Sequence, residues 1–302
     1  PPPPLDEIPE PVETELHEPI VFSPVPTLTE SECSPIESLQ PQPSDVQELN
    51  ALPVKGVIQT RCPVVLPRIY KRRAAASEGD AADSGSGATA STEASVMNAL
   101  RWLKSVQEPD GSWTLASGAA VGARSDSGAA PAMTGLALLA YLAHGETPNS
   151  AEFGYVVEKG LKWLQSAQQP DGHFRGRDSH DYSHPIVAFA LCEAYGMTRN
   201  PLLTSVAQRA VKVIVEGQNP LGGWTYNCKP DARNDLSYTG WCVQAIKAAK
   251  LAGISCEGLD AALERAEGGL CRNASPSGSF GYTGPTPSPL TGVGVLGLQL
   301  LG

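Results

Sequence analysis

The sequence predicts an all-α fold of stacked helical hairpins behind a long N-terminal tail that does not fold by itself. Three observations carry that expectation. Fifteen of the 27 prolines fall in residues 1–67. A Gly/Ser-rich stretch of low complexity follows them. From Ser95 onward the chain repeats itself with helical periodicity, and the repeat is its most informative feature.

Prolines strip backbone donors from residues 1–67 and disfavour helix at the residues before them. Residues 1–50 also hold eleven Asp or Glu and no Lys or Arg, so the formal charge of −10 belongs to the tail and residues 51–302 sum to +1. Like charges extend such a segment, and at about 3.1 Å per residue it reaches roughly 200 Å. Two readings fit it: a solubilising tail, or a spacer holding a folded domain away from a membrane tether upstream. The second resembles the acidic Pro-rich spacers of periplasm-spanning energy transducers and implies an extracytoplasmic location. A nearly neutral body lacks the clustered Lys and Arg that phosphate neutralisation needs, which argues against nucleic acid as a partner. No run of 18 apolar residues reads as a bilayer span. Without an initiator Met or a signal-peptide pattern, the start reads as a crop or a processed end.

Residues 68–94 read as a linker. It opens with a basic patch, Arg68 to Arg73, which reads as a solvated stretch or as a contact for anionic lipid or the acidic tail itself, and runs into the Gly/Ser/Ala-rich coil Ser77 to Glu93.

The repeat domain is expected over 95–302, in units of about 95–145, 155–198, 205–252 and 258–302. Three segments align from helix to closing aromatic: Ala99 through Gln107 and Gly111 to Trp113, Gly160 through Gln168 and Gly172 to Phe174, and Ala210 through Gln218 and Gly222 to Trp224. A degraded fourth copy ends at Phe280. The first helix of each unit is amphipathic, with Leu100, Leu103 and Val106, or Val157, Leu161 and Leu164, at 3–4-residue spacing. Pro-Asp-Gly or its equivalent stops it, because Pro cannot continue a helix and Gly accepts positive φ. The second helix is apolar nearly all round and should be buried on most sides.

The motif Gln-x-Pro-Asp-Gly-x-Trp resembles the QW motif of the terpenoid cyclase and protein prenyltransferase superfamily. The whole arrangement resembles bacterial prenyltransferase and squalene oxidase repeat proteins. That resemblance implies an α/α toroid with the apolar helices as an inner ring and the amphipathic ones outside. Four hairpins make a partial ring, so the chain reads as incomplete at its C-terminal end. It also implies structural roles for Gln107, Gly111, Trp113, Gln168, Gly172, Phe174, Gln218, Gly222, Trp224 and Phe280.

The chemistry of those families is less evident. Neither the D-x-D-D of squalene-type cyclases nor the D-D-x-x-D of magnesium-diphosphate sites occurs. The Asp235-Leu-Ser-Tyr238-Thr-Gly-Trp241 segment resembles the prenyltransferase zinc segment, but Ser237 stands at the thiolate position and the last His is His184. Asp235 then reads as a helix cap and Asp231 as a loop carboxylate. Between the second motif and its inner helix lie Arg175, Asp178, His180, Asp181 and His184. Metal or acid–base work, ligand contact at the ring mouth, and a local hydrogen-bond network all fit them. Pro185 should hold His184 out of a helix. Of seven cysteines, none in C-x-x-C spacing, Cys192 and Cys242 read as core residues, and the odd count argues against a full disulfide framework.

No cofactor or metal is expected. The predicted function is a non-catalytic module that binds a small molecule or a protein at the ring mouth, through Arg175, Asp178, His180, Asp181, His184, Asp231, Asp235, Tyr238 and Trp241. The alternative is a cyclase or prenyltransferase-type enzyme whose catalytic acid lies in repeats outside this chain.

Overall fold

The computed structural model describes Tyr70 and residues 90–115, 128–176, 181–231, 233–286 and 288–302. The tail and almost all of the expected linker, like Asp178 and His180, lie outside the described residues. The described residues form eight α-helices and no strand. They are α1 (Ala90–Ser105), α2 (Ala130–His144), α3 (Gly154–Ala167), α4 (Ser183–Thr198), α5 (Thr204–Glu216), α6 (Leu236–Ala252), α7 (Leu259–Cys271) and α8 (Thr291–Leu301). α1 starts ahead of the boundary that the repeat suggested, with Glu93 favourably placed in its first turn.

Even-numbered helices pack side by side in chain order, α2 on α4, α4 on α6 and α6 on α8. Odd-numbered helices lie behind them: α5 packs on α4 and α6, and α7 on α6 and α8. This is an arc of an α/α toroid. Small residues let the inner helices approach; a Cβ on Gly240 would strike Val293 of the next inner helix. The two central inner helices are enclosed, with Leu191, Cys192, Cys242 and Ile246 fully buried. Full burial of a Leu or Ile side chain stabilises by about 1.5–3 kcal/mol. The end helices depart from the expectation of burial on most sides. α8 buries only Gly294 and Gly297 and exposes Val295 and Leu296, because it has one inner neighbour rather than two.

The Gln–aromatic segments share one geometry. In each, the residue after the motif's first position donates its N–H four residues forward, as Glu108 does to Ser112 at 2.9 Å and Ser275 to Ser279 at 2.8 Å. Each turn carries a left-handed glycine, Gly111, Gly172, Gly222 or Gly278. At Gly222 the requirement is double, since a Cβ would also fall on the carbonyl of Arg265 in the next outer helix. Gln107, Gln168 and Gln218 each donate through Nε2 to their own turn and to the next outer helix, at Val156, Val206 and Ala262, all within 3.1 Å. The fourth unit has Ala274 in that position and lacks the tie. Trp113 and Trp224 donate through Nε1 to the carbonyls of Leu103 and Ile214, in the last turns of α1 and α5.

Two further expectations are corrected. Pro185 does not hold His184 out of a helix: α4 begins at Ser183, and a first-turn Pro loses no helical hydrogen bond there. Tyr70, expected in a solvated patch, is buried in the hydrophobic core.

Candidate functional site

The N-terminal ends of α4 and α6 assemble a chain of hydroxyl groups. The Ser237 hydroxyl, in the first turn of α6, donates to Asp235 Oδ1 at 2.7 Å. Having spent its only proton, Ser237 accepts from the Tyr182 hydroxyl at 2.6 Å. By the same count Tyr182 accepts from Tyr226 at 3.0 Å, and Tyr226 from Tyr282 at 2.7 Å. The carboxylate therefore orders the whole series, from the partly exposed Tyr282 inward to the fully buried Asp235.

The rings support this order. Tyr182 meets Tyr226 edge-on at a centroid distance of 5.4 Å, and both contact the buried Tyr238 ring, at 5.7 and 5.5 Å. Tyr238 is held from below by its hydroxyl contact with Cys228 Sγ at 3.3 Å. Burial is the leading cause that raises the phenol pKa values, pushing Tyr182 up to about 12, and the Asp235 charge adds to it at Tyr182, Tyr226 and Tyr282. The hydroxyls accordingly stay protonated at neutral pH. Arg233 lies over the Tyr282 ring at 5.9 Å and reaches within 3.7 Å of Asp235 Oδ2.

Asp235 is also the N-cap of α6, accepting the Tyr238 N–H at 3.1 Å. Its Oδ2 is buried without a hydrogen bond. The donors around it are hydroxyls and phenols, with no thiolate or imidazole, a set that does not fit a catalytic zinc ion. Among the described residues no three His, Cys, Asp or Glu side chains are placed so that they could hold a metal ion.

The described members of the Arg175–His184 constellation, Arg175, Asp181 and His184, make local hydrogen bonds. His184 is buried, with Nδ1 accepting the Phe174 N–H at 3.1 Å and Nε2 donating to the Ala210 carbonyl at 3.0 Å. No ring nitrogen is left for a ligand. Asp181 accepts from the backbone of Ser183 and of Gly176, starting α4. Arg175 folds back onto Gln169 and Asp171, which holds the Asp171 carboxyl well below its usual range. Asp231 caps its own turn through the Arg233 N–H at 2.8 Å. Trp241 is half-buried on α6, one turn beyond Ser237.

Of the residues expected to bind a ligand, the structure therefore gathers Asp235 and Tyr238, sends His184, Asp181 and Asp231 to the backbone, and turns Arg175 onto the Gln169 and Asp171 side chains. Tyr182, Tyr226, Tyr282 and Ser237 are what sequence reasoning did not place there. One signal was available: Tyr226 and Tyr282 each stand two residues after a closing aromatic, Trp224 and Phe280.

Residues 84–181 match the squalene-hopene cyclase C-terminal domain. No curated protein sequence matches the chain. Among solved structures, the chain is similar to ent-copalyl diphosphate synthase from Streptomyces platensis, with 21% identity over 65% of this chain and 36% of that one and a TM-score of 0.48. It is also similar to the type II terpene cyclase MstE from Scytonema, with 18% identity over 76% and 62% of the two chains and a TM-score of 0.46. It spans less than two thirds of the length of either. The matched residues take in the first two Gln–aromatic turns, whose geometry recurs along the arc.

Proposed function

We propose that the repeat domain is a non-catalytic binding module whose site is the tyrosine-lined mouth at the N-terminal ends of α4 and α6. The directed hydroxyl series from Tyr282 to Asp235 carries this reading. It presents phenol rings and hydroxyl groups together, which suits a small molecule with an apolar body and a polar hydrogen-bonding group. Also in its support, the carboxylates of Asp181 and Asp231 and both nitrogens of His184 are committed to backbone groups, leaving them unsuited to general acid–base work. The acidic Pro-rich N-terminal stretch would serve as a flexible spacer, in an extracytoplasmic, membrane-tethered setting.

One observation favours a second reading. The buried Asp235 Oδ2 lacks a hydrogen bond, as a carboxyl reserved for chemistry would. In that reading the chain is part of a cyclase or prenyltransferase-type enzyme. The test is incubation of the purified protein with squalene and with geranylgeranyl diphosphate, followed by mass-spectrometric product analysis. Recovery of unchanged substrate from both wild type and Asp235→Asn is the expected result. A cyclised product that disappears in Asp235→Asn would replace the binding module with an enzyme.

A further inference from the structure

Tyr70 lies twenty residues ahead of α1, in the basic segment Arg68–Arg73, yet it is fully buried against α4. Its ring occupies the space that Gly196 leaves open; a Cβ on Gly196 would fall inside it. Its hydroxyl donates to Oε1 of Glu193 at 3.3 Å, and Glu193 is itself only 5% exposed. A glycine that admits an aromatic ring to the helix backbone, with a buried carboxylate one turn back to take its hydroxyl, is chemistry selective for a phenol.

The notch has a definite place on the helix. Tyr182, Phe189, Glu193 and Gly196 follow one another at intervals of seven, four and three residues, which puts them on one stripe of an α-helix. That stripe starts at the hydroxyl series and ends under Tyr70. We propose that Glu193 and Gly196 form a phenol-recognition notch occupied in cis by Tyr70, which docks the chain's own basic segment on α4. Closing a loop of about 20 residues costs little, and the resulting effective concentration is of millimolar order, enough to keep a weak site filled. A phenol from elsewhere reaches the notch only by displacing Tyr70. This inference does not depend on the binding role assigned to the tyrosine-lined mouth.

The test uses the full chain and a fluorescent peptide of residues 61–80. In Tyr70→Ala, with helical circular dichroism retained, the notch is empty. Peptide binding should then be at least tenfold tighter than to wild type, and Gly196→Val added to Tyr70→Ala should remove it. Equal binding to wild type and Tyr70→Ala, or none to the folded variant, would overturn the proposal. A second readout needs no peptide. Trypsin cleavage after Lys71 and Arg72 should accelerate from wild type to Tyr70→Phe to Tyr70→Ala, whereas equal rates in all three would mean that Tyr70 does not dock the segment.

Discussion

Nδ1 of His184 accepts the backbone N–H of Phe174 at 3.1 Å, the place that Thr134, Thr239 and Thr291 fill for Trp113, Trp224 and Phe280. Accepting at Nδ1 puts the proton on Nε2, which donates to Ala210 of α5. The imidazole thus does a threonine's work and adds a tie to the outer layer. His184→Thr keeps the acceptor and loses that tie together with ring volume, which should cost about 1–2 kcal/mol. His184→Ala strands the Phe174 N–H as well and should cost about 3 kcal/mol or more, read from urea unfolding.

The same histidine sets an acid limit on stability. Burial first, then the His173 charge, pushes its pKa down to about 3, against an ordinary value near 6.5. Below about pH 6.5 the unfolded chain takes up a proton that the folded protein refuses. Stability should therefore fall as pH drops from about 6.5 towards 3, by at most about 1.4 kcal/mol per pH unit from this group. Urea midpoints measured across that range should show the fall flattened in His184→Thr.

His144 works in the opposite direction. It is held between Glu93 and Glu146 at 2.9 Å on each side, binding the start of α1 to the end of α2. Burial alone would lower its pKa, but the two carboxylate hydrogen bonds outweigh burial and raise it. A raised folded value means that its contribution is complete below about pH 6.5 and is lost as pH rises through that folded value. Glu146→Gln should bring the His144 titration, followed by NMR, to lower pH. A midpoint unchanged by that substitution would remove Glu146 as a cause.

Gln218 and Gln107 make the same two hydrogen bonds, but Gln218 is buried and Gln107 only partly so. Removing the amide takes one donor from the turn carbonyl and one from the helix carbonyl, and the penalty grows with their isolation from water. Gln218→Ala should cost about 2–3 kcal/mol and Gln107→Ala about 1 kcal/mol in chemical denaturation. Equal losses would show that burial does not set the strength of the tie.

Trp113 and Trp224 are at most 2% exposed. Replacement of either by Ala should destabilise by about 3–5 kcal/mol through folding, seen as a lower Tm. Trp224→Phe keeps most of the volume and loses the Nε1 bond to Ile214, for about 1 kcal/mol beyond the packing change.

The amino-acid sequence by itself determined the hairpins. Periodicity over seven or eight residues, a Pro–Gly stop and a closing aromatic are local features, and they located helix pairs and turns, including the degraded turn before Phe280. The Asp235 cap was legible for the same reason, since its partner is three residues away. Tertiary structure alone decided what those elements bring together. His184 finds its second partner 26 residues on, at Ala210, so its spacing from His180 carried no information about its role. Tyr182 reaches Ser237 across 55 residues, and Tyr70 reaches Glu193 across 123. Such pairs depend on the register in which inner helices pack and on where a glycine such as Gly196 leaves room for a ring. Local pattern does not encode that register; close packing between distant side chains imposes it.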